Sequence, residues 1–293
     1  MGIYIQNANF KFLFNLKNNK FDNFCSNTIE KPLKSTFFNM SIISKAKLLK
    51  NTLLIMDNKN VIGYIWCDNL KDYVVYVKDI CISKEYLDKS KKFEFDSSVN
   101  LKNDKVFYYD GYDLENFNSI LLNLGFNISS KSLLKAIDFN SFNINNFLLD
   151  KEETYLINFI ENKDELKRCN IQNDIFEDES RVPLTIDDIY LDEMQDYYLR
   201  EYSFFLKHHN KCIGYGQIIK FNDIYLIVNL GIIPKYRGVG FGEYLLSSIL
   251  KKLKDDEIDD EIFIRVSEDN NLAIKLYSKL GFKDKATINS YKL

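Results

Sequence analysis

Residues 57–86 can be laid on residues 208–237 at a constant shift of 151 positions, without a gap. "VIGYI" then falls on "CIGYG", and "VYVKDICISKEY" falls on "LIVNLGIIPKYR". Seven of the 30 positions are identical: Ile62, Gly63, Tyr64, Asp72, Val77, Ile82 and Lys84 meet Ile213, Gly214, Tyr215, Asp223, Val228, Ile233 and Lys235. Further on, "NSILLNLGF" (118–126) falls on "IKLYSKLGF" (274–282) at a shift of 156. Two matches in the same order make a duplicated domain the reading that any fold has to satisfy. A length of 293 residues leaves room for two domains of ordinary size. The copies are expected at 1–140 and 150–293, joined through the Asn- and Ser-rich "FNSFNINNFLLDKEE".

Each copy has the same grammar. In the second, "FFLKHHNKCIGYGQIIKFNDIYLIVNLGII" is a series of apolar runs separated by Asn, Asp and Gly, which predicts a meander of strands. Phe241, Leu245, Leu246, Ile249, Leu250 and Leu253 then recur at three- and four-residue steps, the stripe of an amphipathic helix. "EIFIRV" (261–266) predicts a short strand. Asp269 or Asn270 can cap a following helix whose inner face is Leu272, Ala273, Leu276, Tyr277 and Leu280. Gly281 is suited to end that helix, and "TINSYKL" predicts a last strand. The fold class expected is α/β (α+β): two tandem domains, each a mixed, mostly antiparallel twisted sheet flanked by helices.

Between the strands and the long helix lies "PKYRGVGFGEYLL", with three glycines in five positions beside Arg237. A glycine turn that opens a helix gathers free backbone amides at the positive end of the helix dipole, which is an anion site. A Walker loop is excluded, because Gly242 is followed by Glu243 and Tyr244 instead of Lys and Ser or Thr. A dinucleotide fingerprint fails on the final glycine spacing and on the roughly 50 residues that remain.

Net charge and cysteines narrow the class. A net charge of −3 leaves no basic footprint for nucleic acid. Five widely spaced cysteines without a CxxC pair read as reduced thiols, and the cytoplasm is the expected location. The two histidines, in "KHHNK", lack the spaced partners of a zinc site and read as a solvated hairpin tip, so no metal is expected. No apolar run approaches the ~20 residues of a membrane span.

The turn "RGVGFG" resembles the [QR]-x-x-G-x-[GA] motif of the GNAT superfamily of acyl-CoA-dependent N-acyltransferases. "NNLAIKLYSKLGF" is similar to that family's later helix, with Asn270, Ala273, Leu276, Tyr277, Gly281 and Phe282 in register. The resemblance is strong over 201–293, weaker over 153–200 and degenerate in the first half. It implies an N-acetyltransferase that passes an acetyl group from acetyl-CoA to a primary amine acceptor (a small molecule, an amino-acid derivative or a protein N-terminus). The alternative is a CoA-binding sensor without turnover.

By the same resemblance, the amides of Arg237, Gly238, Val239, Gly240, Phe241 and Gly242 hold the CoA pyrophosphate. The backbone at Ile232 and Ile233 pairs with pantetheine, which lies where the fourth and fifth strands of the domain splay apart. Asn270 joins the cofactor-binding candidates. Arg237 either contacts phosphate or braces the turn. Tyr277 matches the tyrosine that faces the CoA sulfur and supplies a proton to the departing thiolate. The family's glutamate base is absent, since Tyr225 holds its place. Asp223, placed two residues earlier on the same strand face, and Asn229, as a holder of water, are the remaining candidates. In the first copy Tyr86, Leu87, Asp88, Lys89, Ser90 and Lys91 stand where the glycine turn would be, and Leu121 stands opposite Tyr277. That copy is expected to bind no CoA.

Overall fold

A computed structural model describes residues 3–88, 105–139, 151–179, 181–258 and 260–293. The chain divides into two compact units, 1–132 with 286–293, and 133–285. The expected boundaries, 1–140 and 150–293, differ from this at the join, which falls at 132/133, and at the C-terminus, where the last eight residues belong to the first unit.

The first unit runs β1 (Ile3–Asn7), α1 (Phe10–Lys17), β2 (Phe24–Ser26), α2 (Leu33–Phe37), α3 (Ile42–Lys50), β3 (Thr52–Asp57), β4 (Asn60–Cys67) and β5 (Val74–Ser83). It continues through α4 (Lys84–Asp88), β6 (Val106–Tyr112), α5 (Glu115–Asn123) and the start of β7 (Asn127–Ile137), whose residues from 133 on belong to the second unit. Neighbours β1, β3, β4 and β5 pair antiparallel, β5 and β6 pair parallel, and β2 adds to β5. Alternation along β3 sends Ile55 to one apolar cluster with α5 and Leu54 and Met56 to another with α1 and α3.

The second unit contains β8 (Thr154–Asn158), α6 (Glu165–Ile175), α7 (Ile186–Glu193), β9 (Tyr198–His208), β10 (Lys211–Phe221) and β11 (Ile224–Ile232). A 3-10 turn (Pro234–Tyr236), α8 (Phe241–Asp255), β12 (Ile262–Ser267), α9 (Asn271–Lys279) and the start of β13 (Lys283–Lys292) follow. Its strand order is β12-β11-β10-β9-β8, with β11 and β12 parallel and the other pairs antiparallel. Phe204 and Leu206 face the cluster built on α8, while Phe205 faces the one built on α6. All six stripe residues of α8 are buried.

The two shifts read from the sequence reproduce the elements. A shift of 151 carries the first residue of β4 onto the first residue of β10. A shift of 156 carries α5, both ends included, onto α9. One residue of the expected helix face is misplaced. Leu272 is 83% exposed, because the first turn of α9 stands clear of the core and its packing begins one position on. No helix among the described residues is long and apolar enough to cross a membrane.

Candidate active site

The site begins with a break in a ladder. Strands β11 and β12 pair only at Tyr225–Ile262, Leu226–Phe263 and Ile227–Ile264. Beyond that point β11 is distorted by a bulge: Tyr215 pairs with Gly231 but Gln217 pairs with Val228, so Asn229 and Leu230 together oppose Gly216. Asn229 carries the strain with a left-handed φ of 54°, a conformation that Asn tolerates better than most residues. A bulge of this kind re-aims a strand, and a cavity of about 300 Å³ fills the parting, lined by β11 residues 227–230, β12 residues 264–267, Phe176, Arg181, Asn270 and Tyr277.

Three of the expected site residues therefore meet: Asn229, Asn270 and Tyr277. Asn270 is also the N-cap of α9, its Oδ1 accepting the Ala273 amide at 3.1 Å. Tyr277 is 7% exposed, and burial pushes its phenol up to about 12. The proton is thus held across the neutral range, and the gap to a thiol near ~8.5 is wider than for an ordinary tyrosine.

The glycine turn stands past the end of β11. Gly238 and Gly240 have φ of 82° and 86°, a region closed to most side-chain-bearing residues. A Cβ at Gly238 would meet nothing within 4 Å, so it is the backbone angle that requires glycine there. Gly240 occupies the N-cap of α8, and the first intrahelical bond runs from the Tyr244 amide to the Gly240 carbonyl at 3.0 Å. The amides before it have no partner within the helix. Val239 is exposed, whereas Phe241 is buried with its ring 4.7 Å from that of His208.

Arg237 braces this turn. Its Nε donates to the Ile232 carbonyl at 2.8 Å and its Nη2 to the Ile175 carbonyl at 2.5 Å, at the C-terminal end of α6. Gly231 lets α6 come this close, since a Cβ there would overlap Ile175. Ile232 packs in the core, and the Ile233 amide donates to the Ile213 carbonyl at 2.9 Å. Lys151, which the sequence reading did not single out, supplies a cation at the turn: its Nζ donates to the Val239 carbonyl at 2.7 Å.

Asp223 does not join the site. With Asn222 it forms the two-residue turn between β10 and β11, both residues at positive φ, as the pairing of Phe221 with Ile224 requires. It is exposed and six residues along β11 from Asn229, roughly 20 Å at the rise of a strand. The expectation that it shares a strand face with the site is corrected by that turn. The histidine pair is likewise more than a solvated tip, because Nδ1 of His208 bonds the Thr154 hydroxyl at 2.8 Å.

A second cavity, of about 350 Å³, is lined by residues of α6 and α7 and again by Arg181 and Asn229. Behind it lies a polar network absent from the sequence expectations. Arg168, 1% exposed, donates through Nη2 to Asp192 and to Gln217 Oε1 at 3.1 Å, among the rings of Phe159, Tyr198 and Tyr215. Tyr197 donates to Asp192 Oδ1 at 2.9 Å. Burial and the neighbouring Glu165 raise Glu193, at the end of α7, to about 7. These residues sit on four elements with no common period. The one local signal was "TIDD", where Thr185 and Asp188 form the capping box that starts α7. In the first copy Asp88 is the last residue of α4, and Lys89, Ser90 and Lys91 lie outside the described residues. Leu121, opposite Tyr277, is core.

Residues 169–282 match the acetyltransferase (GNAT) family profile. The chain is 34% identical over 65 residues to an N-alpha-acetyltransferase of Sulfurisphaera tokodaii, spanning 22% of this chain and 39% of that protein. It is 32% identical over 79 residues to a [ribosomal protein bS18]-alanine N-acetyltransferase of Haemophilus influenzae, spanning 27% and 53%. The chain thus spans less than two thirds of the length of these relatives. Among solved structures, a GCN5-related N-acetyltransferase from Sphaerobacter thermophilus superposes with a TM-score of 0.62 at 13% identity, over 93% of this chain and 96% of that one. A tandem GNAT protein from the clavulanic acid biosynthesis pathway superposes at 0.59 and 11% identity, over 99% and 97%. At such identities the likeness is one of fold. Residues 169–282 thus match the GNAT acetyltransferase family, and the fold is shared with tandem GNAT proteins.

Proposed function

We propose that the chain is an N-acetyltransferase of the cytoplasm, transferring an acetyl group from acetyl-CoA to a primary amine in its second unit. The observation that carries this is the parting of β11 and β12 after Ile227 and Ile264, with Asn229, Asn270 and Tyr277 on the cavity it opens. A slot between strands that ends at a glycine turn fits a long thin arm with an anionic head. The amides of residues 238–242 and the N-terminus of α8 would hold the pyrophosphate, aided by Lys151 more directly than by the braced Arg237. The backbone at Ile232 would steady the pantetheine; that of Ile233 is committed within the protein, its amide to the Ile213 carbonyl and its carbonyl to the Tyr236 amide, each at 2.9 Å. Acetyl-CoA supplies the activated acyl group as a thioester, and no metal is part of this reading.

The chain's own groups then have definite tasks. Tyr277 keeps its proton and presents it to the sulfur position; the proton passes as the thiolate's charge develops. Asn229 stands on the wall common to both cavities, which makes the second cavity the entrance for the amine. Only a neutral amine attacks, and no carboxylate among the described residues lines the first cavity, so the amine's proton leaves through water. The names of the two curated relatives make a protein N-terminus the first acceptor to try.

Release of free thiol from acetyl-CoA, followed across amino acids, N-terminal peptides and small amines, tests this. Amine-dependent thiol release is expected. Binding of CoA with no release by any amine would reduce the protein to a CoA sensor.

A further inference from the structure

We propose that Gln217 is a positioning residue that fixes which end of the Asn229 amide faces the reacting groups, turning Oδ1 toward the amine acceptor. This rests on the acetyltransferase reading and goes one step behind the site, into the buried network.

Donors and acceptors decide the orientation. An arginine can only donate, and a carboxylate can only accept. Gln217, wholly buried, lies between one of each. Its Oε1 faces Nη2 of Arg168 at 3.1 Å, and its Nε2 faces Oδ2 of Asp192 at 3.3 Å. Reversing the amide would set NH₂ against guanidinium and oxygen against carboxylate. Both ends of Gln217 are therefore assigned by charge, and the Tyr215 hydroxyl adds a third donor to Oε1 at 3.4 Å.

The same oxygen meets the Asn229 side chain at 3.2 Å. Since Oε1 accepts, Asn229 must offer Nδ2, and its own oxygen is turned away from the network. Asn229 lines both cavities and is held by the bulge at φ 54°, so that oxygen belongs to their common wall. The chemical consequence is large. An oxygen there accepts an N–H from the incoming amine and leaves its lone pair free to attack. An NH₂ there would donate to that lone pair and occupy the electrons the reaction needs. A fixed charge pair thus selects the reactive orientation through one intervening amide.

Three variants of the full chain test this, assayed with acetyl-CoA and the best amine of the panel. Gln217→Leu releases the amide and is expected to lower kcat/KM for the amine by ~10-fold or more, with the Kd for acetyl-CoA unchanged in calorimetry. Asn229→Asp in the unaltered background sets a carboxylate against Gln217 Oε1. Protonated, that group mimics the Asn, donating inward and presenting a carbonyl outward. Its activity relative to the unaltered chain should therefore rise as pH falls. The other charged and titratable groups about this position, Arg168, Arg181, Asp188, Asp192, Tyr197, Tyr215, Arg265 and Tyr277, are the same in each variant. In Gln217→Leu with Asn229→Asp the two carboxylate oxygens are equivalent and there is no orientation to set. That double variant should be more active than the product of the single effects and should lose the acid-side rise.

Strictly multiplicative effects, or an Asn229→Asp ratio flat with pH, would overturn the assignment even if Gln217→Leu proves too unstable to assay. A chain that acetylates no amine would overturn the acetyltransferase reading, and this assignment with it.

Discussion

At the residue scale, two side chains separate chemistry from support. Tyr277 is a buried phenol raised to about 12, so in the proposed reaction its proton would be given by position and not by acidity. Tyr277→Phe keeps the ring in its place and is expected to lower kcat by ~10–10³-fold with little change in acyl-CoA affinity. An unchanged kcat, where chemistry limits the rate, would leave Tyr277 as a core aromatic. Arg237 has the opposite character. Its hydrogen bonds to the Ile232 and Ile175 carbonyls mean that Arg237→Met strips two acceptors of their partner at a cost of about 1–3 kcal/mol. The midpoint of thermal unfolding should then fall by several degrees without any ligand present. A residue that only met phosphate would show its loss solely when CoA is added. Glu193 carries a pH signature. Folding raises its carboxyl from 4.5 to about 7, through burial first and Glu165 second. The folded state therefore holds this proton more tightly than the unfolded one. The stability it contributes is full below about 4.5 and is lost as pH rises through about 7. Glu193→Gln should flatten that part of the profile in unfolding midpoints measured at several pH values.

At the scale of elements, what was legible in the sequence was whatever local chemistry decides. The α8 stripe, the Asn270 cap and the register of α5 on α9 follow from spacing, capping and repetition, and all three stand in the structure. The hairpin turn was misread for a reason that is local too. Asn222 and Asp223 separate two apolar runs, and placing Asp223 on the strand by period two overlooked that the pair turns the chain at two positive φ angles. The bulge at Asn229 has no sequence signal of its own, because it exists only in the pairing of β10 with β11. It has a counterpart in the first unit, where Trp66 pairs with Asp79 and Cys67 with Val77, leaving Lys78 unpaired at the position equivalent to Asn229. The distortion of the strand was thus retained in a copy that carries a lysine where the site has its amide. Arg168, Asp192 and Gln217 were illegible, because a buried polar residue is recognised by its partners and these come from three different elements.

At the scale of the molecule, one CoA per chain is the expected stoichiometry in calorimetric titration, bound through residues of the second unit. Among the described residues of the first copy, Tyr86 bonds Asp57 and Leu87 is buried where the glycine turn begins, and buried Leu121 replaces Tyr277. Gly240→Val should then abolish binding by the whole chain. Two sites per chain, or tight binding left in that variant, would show that the first unit holds CoA by other means. The C-terminal strand makes a separate prediction. Residues 288–292 of β13 pair with Tyr108–Tyr112 of β6, and Tyr291 is wholly buried in the core of the first unit. Deleting residues 286–293 should therefore unprotect the β6 amides in hydrogen exchange; protection equal to that of the full chain would contradict the pairing. This pairing also sets an order in time. The first unit leaves the ribosome first, yet one of its strands is encoded after the whole of residues 133–285. At about 5–20 residues per second, β6 waits on the order of ten seconds with an unpaired edge, the kind of edge on which other chains add. Of the two units, the one made first is the one completed last.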